Sequence, residues 1–243
     1  MGKLDGKIAI ITGAGTGIGK GIARAFANEG ASLVLASRNR AKLDDTALEL
    51  KDTPGKIIVI PTDVTVEQQV IALFDRTMDE FGRVDIMVNN AGVFDGGPLE
   101  DISLETWQKV VDVNLTGVFL GSREAMRIMK KQGGGRIINI GSISAQVPRM
   151  NSAPYTATKH ALVGLTKSTA LEGREFGVVA SIVHPGNVFK ESRVGSTLDA
   201  DHEPMISADE LAESVLVMAS LPLHVNVLES IVLPVTQPYV GRG

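Results

Sequence analysis

The chain contains no cysteine. That absence excludes disulfides, thiolate metal sites and cysteine nucleophiles, and it fits a reducing compartment. There is no excess of positive charge either: 24 Lys plus Arg face 28 Asp plus Glu, for a net charge of −4. No general attraction to nucleic acid or to an anionic membrane is expected. Long apolar runs are lacking, and the start, Met1-Gly2-Lys3-Leu4-Asp5-Gly6-Lys7, leads into a short apolar run and glycines rather than a signal peptide or a membrane span. The expectation is a cytoplasmic protein. No linker, repeat or low-complexity segment divides the 243 residues, of which 44% are hydrophobic. A single domain over 1–243 with one substantial core follows.

What is present is an alternation of two patterns. Ile8 to Thr12, Ser32 to Ala36, Ile57 to Ile60, Ile86 to Val88, Arg136 to Ile140, Val178 to Val183 and Ser230 to Leu233 are short runs dominated by apolar residues, as parallel strands buried on both faces require. Between them, Ile18 to Glu29, Ala41 to Leu50, Val66 to Phe81, Leu104 to Lys131, Tyr155 to Phe176 and Ala208 to Ser220 carry apolar residues at helical spacing. Ser103 and Ser207 stand where N-caps belong, and Ser207 with Glu210 fits a capping box. The alternation predicts an α/β fold: one doubly wound, Rossmann-type domain around a seven-stranded parallel sheet. Asn187 to Met205 has no period and is long enough to act as a flap over a site, at about 187–205.

Thr12-Gly13-Ala14-Gly15-Thr16-Gly17-Ile18-Gly19 ends the first strand and opens the first helix, where backbone N–H groups and the helix dipole can hold a pyrophosphate. The spacing is T-G-x-x-x-G-x-G rather than G-x-G-x-x-G. After the second strand comes Ser37-Arg38-Asn39-Arg40, where an NAD-binding domain would place an acid on the ribose 2′-hydroxyl. With no acid there, Ser37 can donate to a 2′-phosphate and Arg38 can pair with it or stack on adenine, with Arg40 further out. Asp63-Val64 ends the third strand, where the carboxylate can accept from the adenine amino group or serve the start of the next helix. Asn89-Asn90-Ala91-Gly92 is a small-residue turn that lets a cofactor pass close.

Tyr155 and Lys159, four apart, share one face of a helix. A neighbouring ammonium and a bound cofactor's positive charge would pull the phenol's pKa toward neutrality, making Tyr155 a general acid or base.

Taken together, Thr12 to Gly19, Asn89 to Gly92, Asn114, Ser142, Tyr155 and Lys159 resemble the short-chain dehydrogenase/reductase family over essentially the whole chain. The resemblance implies that Tyr155 donates or accepts the proton and Ser142 polarises the substrate oxygen. It further implies that Lys159 binds the nicotinamide ribose and lowers the pKa of Tyr155, and that Asn114 completes a water-linked proton relay. Carried over in the same way, cofactor contacts fall on Gly13, Thr16, Gly17, Ile18 and Gly19, on Ser37 and Arg38, on Asp63 and Val64, and on Asn90, Ala91 and Gly92. Pro185, Gly186 and Val188 join them beside Tyr155 and Lys159. The family's threonine after Pro-Gly is missing, since Asn187-Val188 runs on into Phe189-Lys190-Glu191-Ser192, where Ser192 could substitute. In place of a glycine-rich end, Val225 to Gln237 is similar to a branch that reduces aldehydes and oxidises small hydroxy acids.

The expectation is reversible hydride transfer between NADP(H) and a ketone or aldehyde, without a metal. The resemblance implies the pro-S hydride and a homotetramer built on the helices flanking the fifth strand. Ser142, Ser144, Gln146, Tyr155 and Asn187 would bind substrate, with Val93, Phe94, Val147 and Arg149 around them. That mixture of apolar and polar groups points to a promiscuous reductase. Arg149 or Arg193 could pair with a substrate carboxylate, but a surface role is the plainer expectation. A non-catalytic NADP sensor would need none of Ser142, Tyr155 and Lys159. A hydroxy-acid dehydrogenase working oxidatively would need all three, and an epimerase or dehydratase would need a larger substrate domain.

Overall fold

A computed structural model describes residues 2–189 and 203–239. Seven parallel strands form one sheet in the order β3-β2-β1-β4-β5-β6-β7. The strands are β1 (Ile8–Thr12), β2 (Ser32–Ser37), β3 (Ile57–Pro61), β4 (Ile86–Asn89), β5 (Gly135–Ile140), β6 (Val178–Pro185) and β7 (Glu229–Val232). Every residue of β1, β4, β5 and β6 is buried, which is why these strands read as runs without polar alternation.

Successive strand side chains point to opposite faces and so fill two separate cores. Ala9, Ile11, Leu33, Leu35, Val88 and Ile138 pack with Ile22 and Phe26 of α1 (Gly17–Asn28), Leu43 of α2 (Arg40–Glu49) and Leu211 and Val215 of α7 (Ala208–Ser220). Ile10, Val34, Met87 and Ile137 pack on the other face with Val70, Leu73 and Phe74 of α3 (Glu67–Phe81) and Leu120, Ala125 and Met129 of α5 (Gly117–Gln132). Fully burying one such Leu or Phe contributes roughly 1.5–3 kcal/mol. Ser207 closes the expected capping box with Glu210, its hydroxyl accepting from Glu210 N while the Glu210 carboxylate accepts from Ser207 N.

The stretch Leu104 to Lys131 is not one regular helix. It divides into α4 (Leu104–Val111), a π turn over Asp112–Thr116, and α5. Asn114 sits in that turn with its side chain directed inward and 1% exposed. Gly117, just after it, lies against Val64, whose Cγ2 would stand 2.8 Å from a Cβ there. The extra residue of a π turn keeps both contacts, at the cost of shifting the helical phase by about 100°. After β5, a 3₁₀ turn over Ile143–Ala145 precedes α6 (Ala153–Gly173), whose second residue, Pro154, suits the first turn of a helix.

Strand order reverses direction on either side of β1, so the carboxyl ends of β1 and β4 open a crevice between them. Thr12 ties that edge together: its hydroxyl donates to Val88 O (3.2 Å) and accepts from Asn90 N (3.0 Å) and Ala91 N (3.1 Å).

Candidate active site

At the crevice, the β1–α1 turn has little room for side chains. Gly13 has φ +67°, and a Cβ on Gly19 would lie 2.3 Å from Gly13 O and 2.5 Å from Asn90 Nδ2. Asn90 braces this turn, donating from Nδ2 to Thr12 O at 2.8 Å and to Gly13 O at 3.4 Å. Thr16, the N-cap residue of α1, makes no side-chain cap bond, and the first turn of α1 carries no acidic residue. Its amides therefore face the cleft without a protein anion. Ile18 is half-buried beside them, and Ala91 and Gly92 continue the rim from β4.

A cleft of about 170 Å³ opens here, lined by Gly13, Gly15, Thr16, Ser37, Arg38, Asn39 and Lys42. Lys42 is the residue not anticipated. It stands in the first turn of α2, where Asn39 Oδ1 caps its N–H at 3.1 Å. A lysine early in a helix reads as solvated surface; its closeness to the glycine turn was the missing signal. Arg40 turns away toward Asp44, 3.4 Å off, while Ser37 is partly exposed and Arg38 exposed. Further along the edge, Asp63 uses Oδ1 to accept from Thr65 N (3.0 Å) and Thr65 Oγ1 (2.7 Å), with Val64 beside it on Gly117. At the β6 end, Gly186 N donates to Val232 O at 2.8 Å. Pro185 closes the strand, and the Val188 side chain is buried in the core, so only its main chain can meet a ligand.

The second half of the crevice brings Ser142, Tyr155, Lys159 and Asn114 to one edge. Ser142 follows β5; its hydroxyl accepts from Ser144 N at 3.1 Å and acts on the Tyr155 phenol, favouring its ionised form. Lys159, 6% exposed, donates to Ile140 O at 2.8 Å, with its Nζ 5.5 Å from the Tyr155 ring centroid. That bond fixes α6 against the end of β5 and brings phenol and serine into register. Phe94 covers the phenol from the outside, its ring 5.1 Å from that of Tyr155 at an angle of 59°. Asn114 clamps Val93, accepting from its N–H and donating to its carbonyl, both at 2.8 Å.

In the protein without cofactor, burial pushes the Tyr155 pKa above its ordinary value of 10, opposed by the Ser142 hydrogen bond and the Arg149 charge. Desolvation of the phenolate outweighs both. Arg149 reaches inward with its side chain only 35% exposed, donating from Nη2 to Asn187 Oδ1 (2.9 Å) and Glu203 Oε2 (3.1 Å). Asn187 Nδ2 donates to the same Glu203 oxygen at 2.7 Å. Ser144 is buried in the 3₁₀ turn, and Gln146 is exposed with its amide on Glu229 Oε1, 2.9 Å away. Ser192, Arg193 and most of the expected flap lie outside the described residues.

Among the described residues no helix is long and apolar enough to cross a membrane, and no group of three His, Cys, Asp or Glu is placed to hold a metal.

Known proteins share this fold. The family model for short chain dehydrogenases matches residues 7–200. An uncharacterised oxidoreductase of Staphylococcus aureus strain MRSA252 is 36% identical over 235 residues, covering 97% of this chain and 100% of that protein. Among solved structures, 3-ketoacyl-(acyl-carrier-protein) reductase from Brucella melitensis, complexed with NADH, superposes with a TM-score of 0.87 at 31% identity, over 95% of this chain and 98% of that one. L-sorbose reductase from Gluconobacter frateurii, complexed with NADPH and L-sorbose, gives a TM-score of 0.90 at 27% identity, over 99% and 100% of the two chains. With a matching family model, a relative aligned along its whole length and the same seven-stranded fold, the chain belongs to the short-chain dehydrogenase/reductase family of oxidoreductases.

Proposed function

We propose that the protein interconverts ketones or aldehydes and their alcohols with NADP(H), using Tyr155 as general acid and base. When bound, the nicotinamide supplies or accepts the hydride. The observation that carries the reading is the meeting of Ser142, Tyr155 and Lys159 at the sheet edge that also holds the glycine turn, with Lys159 bonded to Ile140 O and its Nζ 5.5 Å from the Tyr155 ring centroid. A carbonyl oxygen set between the two hydroxyls would accept from both, and they stabilise the charge that develops on it. Tyr155 then gives up its proton to that oxygen, and in the reverse direction it takes one.

The residues present fit a dinucleotide phosphate. A Cβ at Gly19 would fill the turn where the α1 amides would receive the pyrophosphate. Ser37, Arg38 and Lys42 would hold a 2′-phosphate, and Asp63 an adenine amino group. Lys159 would hold ribose hydroxyls and bring positive charge to Tyr155. The Asn114 amide is engaged with Val93 through both its oxygen and its nitrogen, so its contribution to a proton relay would run through its main chain. Exposed apolar residues on α4, α5 and α6, among them Leu104, Phe119 and Leu171, support a homotetramer assembled through those helices.

Oxidation of a hydroxy acid is the second reading; Arg149, near Tyr155, would have to exchange Glu203, 3.1 Å away, for the substrate carboxylate. A panel of ketones, aldehydes, β-keto esters and hydroxy acids, followed by absorbance of the reduced cofactor, tests both. Turnover of neutral carbonyls supports the first, turnover confined to acids supports the second, and inertness toward all of them with NADPH bound contradicts both.

A further inference from the structure

The Ser142 main chain rests on an imidazole that the reaction proposed above does not use. His184, near the end of β6, is wholly buried, and its Nδ1 lies 3.2 Å from Ser142 N and 2.9 Å from Ser142 O. The ring fits only because residue 141 is glycine, since a Cβ there would stand 2.5 Å from Nδ1. Nε2 lies 3.2 Å from Glu229 Oε1 on β7. Glu229 in turn accepts from Gln146 Nε2 at 2.9 Å and pairs with Lys167 of α6 at 3.3 Å.

Donor and acceptor bookkeeping favours one tautomer. Facing a carboxylate, Nε2 must carry a proton. Ser142 O already accepts from Ala145 N at 2.9 Å, whereas among the described residues the Ser142 N–H has Nδ1 as its acceptor. A neutral ring protonated on Nε2 satisfies both ends. We propose that His184 in this form is a positioning residue, holding Ser142 by its N–H so that its hydroxyl meets Tyr155, and that protonation of the ring exchanges that hold for a bond from Nδ1–H to Ser142 O. The charged groups facing the ring are Glu229 from β7, and Lys159 and, through Glu229, Lys167 from α6. Burial, the largest influence, and Lys159 disfavour the imidazolium, while the Ser142 carbonyl and Glu229 favour it; burial prevails and the pKa falls below the ordinary 6.5. The hold is therefore present at neutral pH and lost as pH falls through that lowered pKa.

The inference rests on the reductase reading for its kinetic consequence but not for its structural one. In ¹⁵N-histidine-labelled protein only four histidines give signals, and His184→Asn identifies the one at issue. The expected spectrum at neutral pH is the Nε2–H tautomer; an Nδ1–H tautomer or a charged ring would overturn the proposal. Because the Ser142 bond lowers the Tyr155 pKa, His184→Leu should move Tyr155 ionisation, read by tyrosinate absorbance, to higher pH. Unchanged ionisation in the folded variant would also overturn it. In turnover, His184→Leu should lower kcat about tenfold, the worth of about one hydrogen bond, without changing cofactor affinity. His184→Asn, which returns a non-titrating acceptor to Ser142 N, should recover part of that rate and lose the acid limb of the wild-type pH profile. Profiles of both variants superimposing on the wild type would refute the positioning role. A wild type inert toward every carbonyl would instead contradict the reductase reading, and the spectra would still decide the His184–Ser142 link.

Discussion

Asn114 and Val93 are joined as two strand residues would be, with the amide oxygen accepting from Val93 N and the amide nitrogen donating to Val93 O, each at 2.8 Å. The π turn aims Asn114 at the segment between β4 and α4, which carries Phe94 over Tyr155. Asn114→Asp would replace the donor with a second acceptor opposite Val93 O and leave a buried carboxylate short of partners. We expect a loss of roughly 1–3 kcal/mol in stability by denaturant titration, together with a lower kcat. A variant as stable and as active as the wild type would show that the clamp is not required.

Tyr155 and Tyr239 are the only tyrosines in the chain, so phenol ionisation can be assigned by difference with Tyr155→Phe. The raised pKa predicts that Tyr155 ionises above pH 10 in the free protein. Arg149→Met removes a charge that favours the phenolate, so ionisation should move higher still, and the pH above which reduction declines should rise with it. A downward shift would contradict the assigned influence of Arg149.

Ser37, Arg38 and Lys42 line the cleft with no acid among them, and this predicts a preference for NADPH over NADH. A charge-assisted contact contributes roughly 1.5–3 kcal/mol, or about one to two decades in kcat/KM. Ser37→Asp combined with Arg38→Leu should move the preference toward NADH through the KM of the cofactor, and Lys42→Met should weaken NADPH alone. Equal kcat/KM for the two cofactors in the wild type would remove the argument.

A buried amide ladder joins the halves of the site. Asn89 Nδ2 donates to Ser122 Oγ (3.1 Å) and Asn139 Oδ1 (2.9 Å), and Asn139 Nδ2 donates to Thr166 Oγ1 (2.9 Å), linking β4, α5, β5 and α6. Asn139→Leu would leave one of the two Asn89 amide N–H groups buried without its acceptor, costing roughly 1–3 kcal/mol in a thermal or denaturant melt. Because α6 carries Tyr155, kcat should fall more than the lost stability alone implies. A melt indistinguishable from that of the wild type would contradict this.

The sheet was legible because its central strands are buried on both faces. Ile8 to Thr12 is the same run in sequence and structure, and β7 differs by one residue at each end. Tyr155 and Lys159 were legible because helical spacing puts them on one face. The π turn was not: one added residue leaves local composition unchanged and shows only in what Asn114 and Gly117 touch. Lys42 and His184 were missed because their relevance depends on pairings between elements distant in the chain, α2 against the β1–α1 turn and β6 against the β5 end. The upward push of burial on the Tyr155 pKa in the cofactor-free protein was not legible for a related reason, since adjacency along the chain does not reveal burial.

The central claim is that Tyr155 supplies the proton while the rest of the site binds. Its most direct test compares wild type and Tyr155→Phe with NADPH and whichever carbonyl the panel identifies, measuring kcat by cofactor absorbance and NADPH affinity by fluorescence. The account predicts unchanged fold and nearly unchanged affinity, with kcat reduced by a factor on the order of 10² to 10⁴. A Tyr155→Phe protein that turns over within a few-fold of the wild type would contradict it.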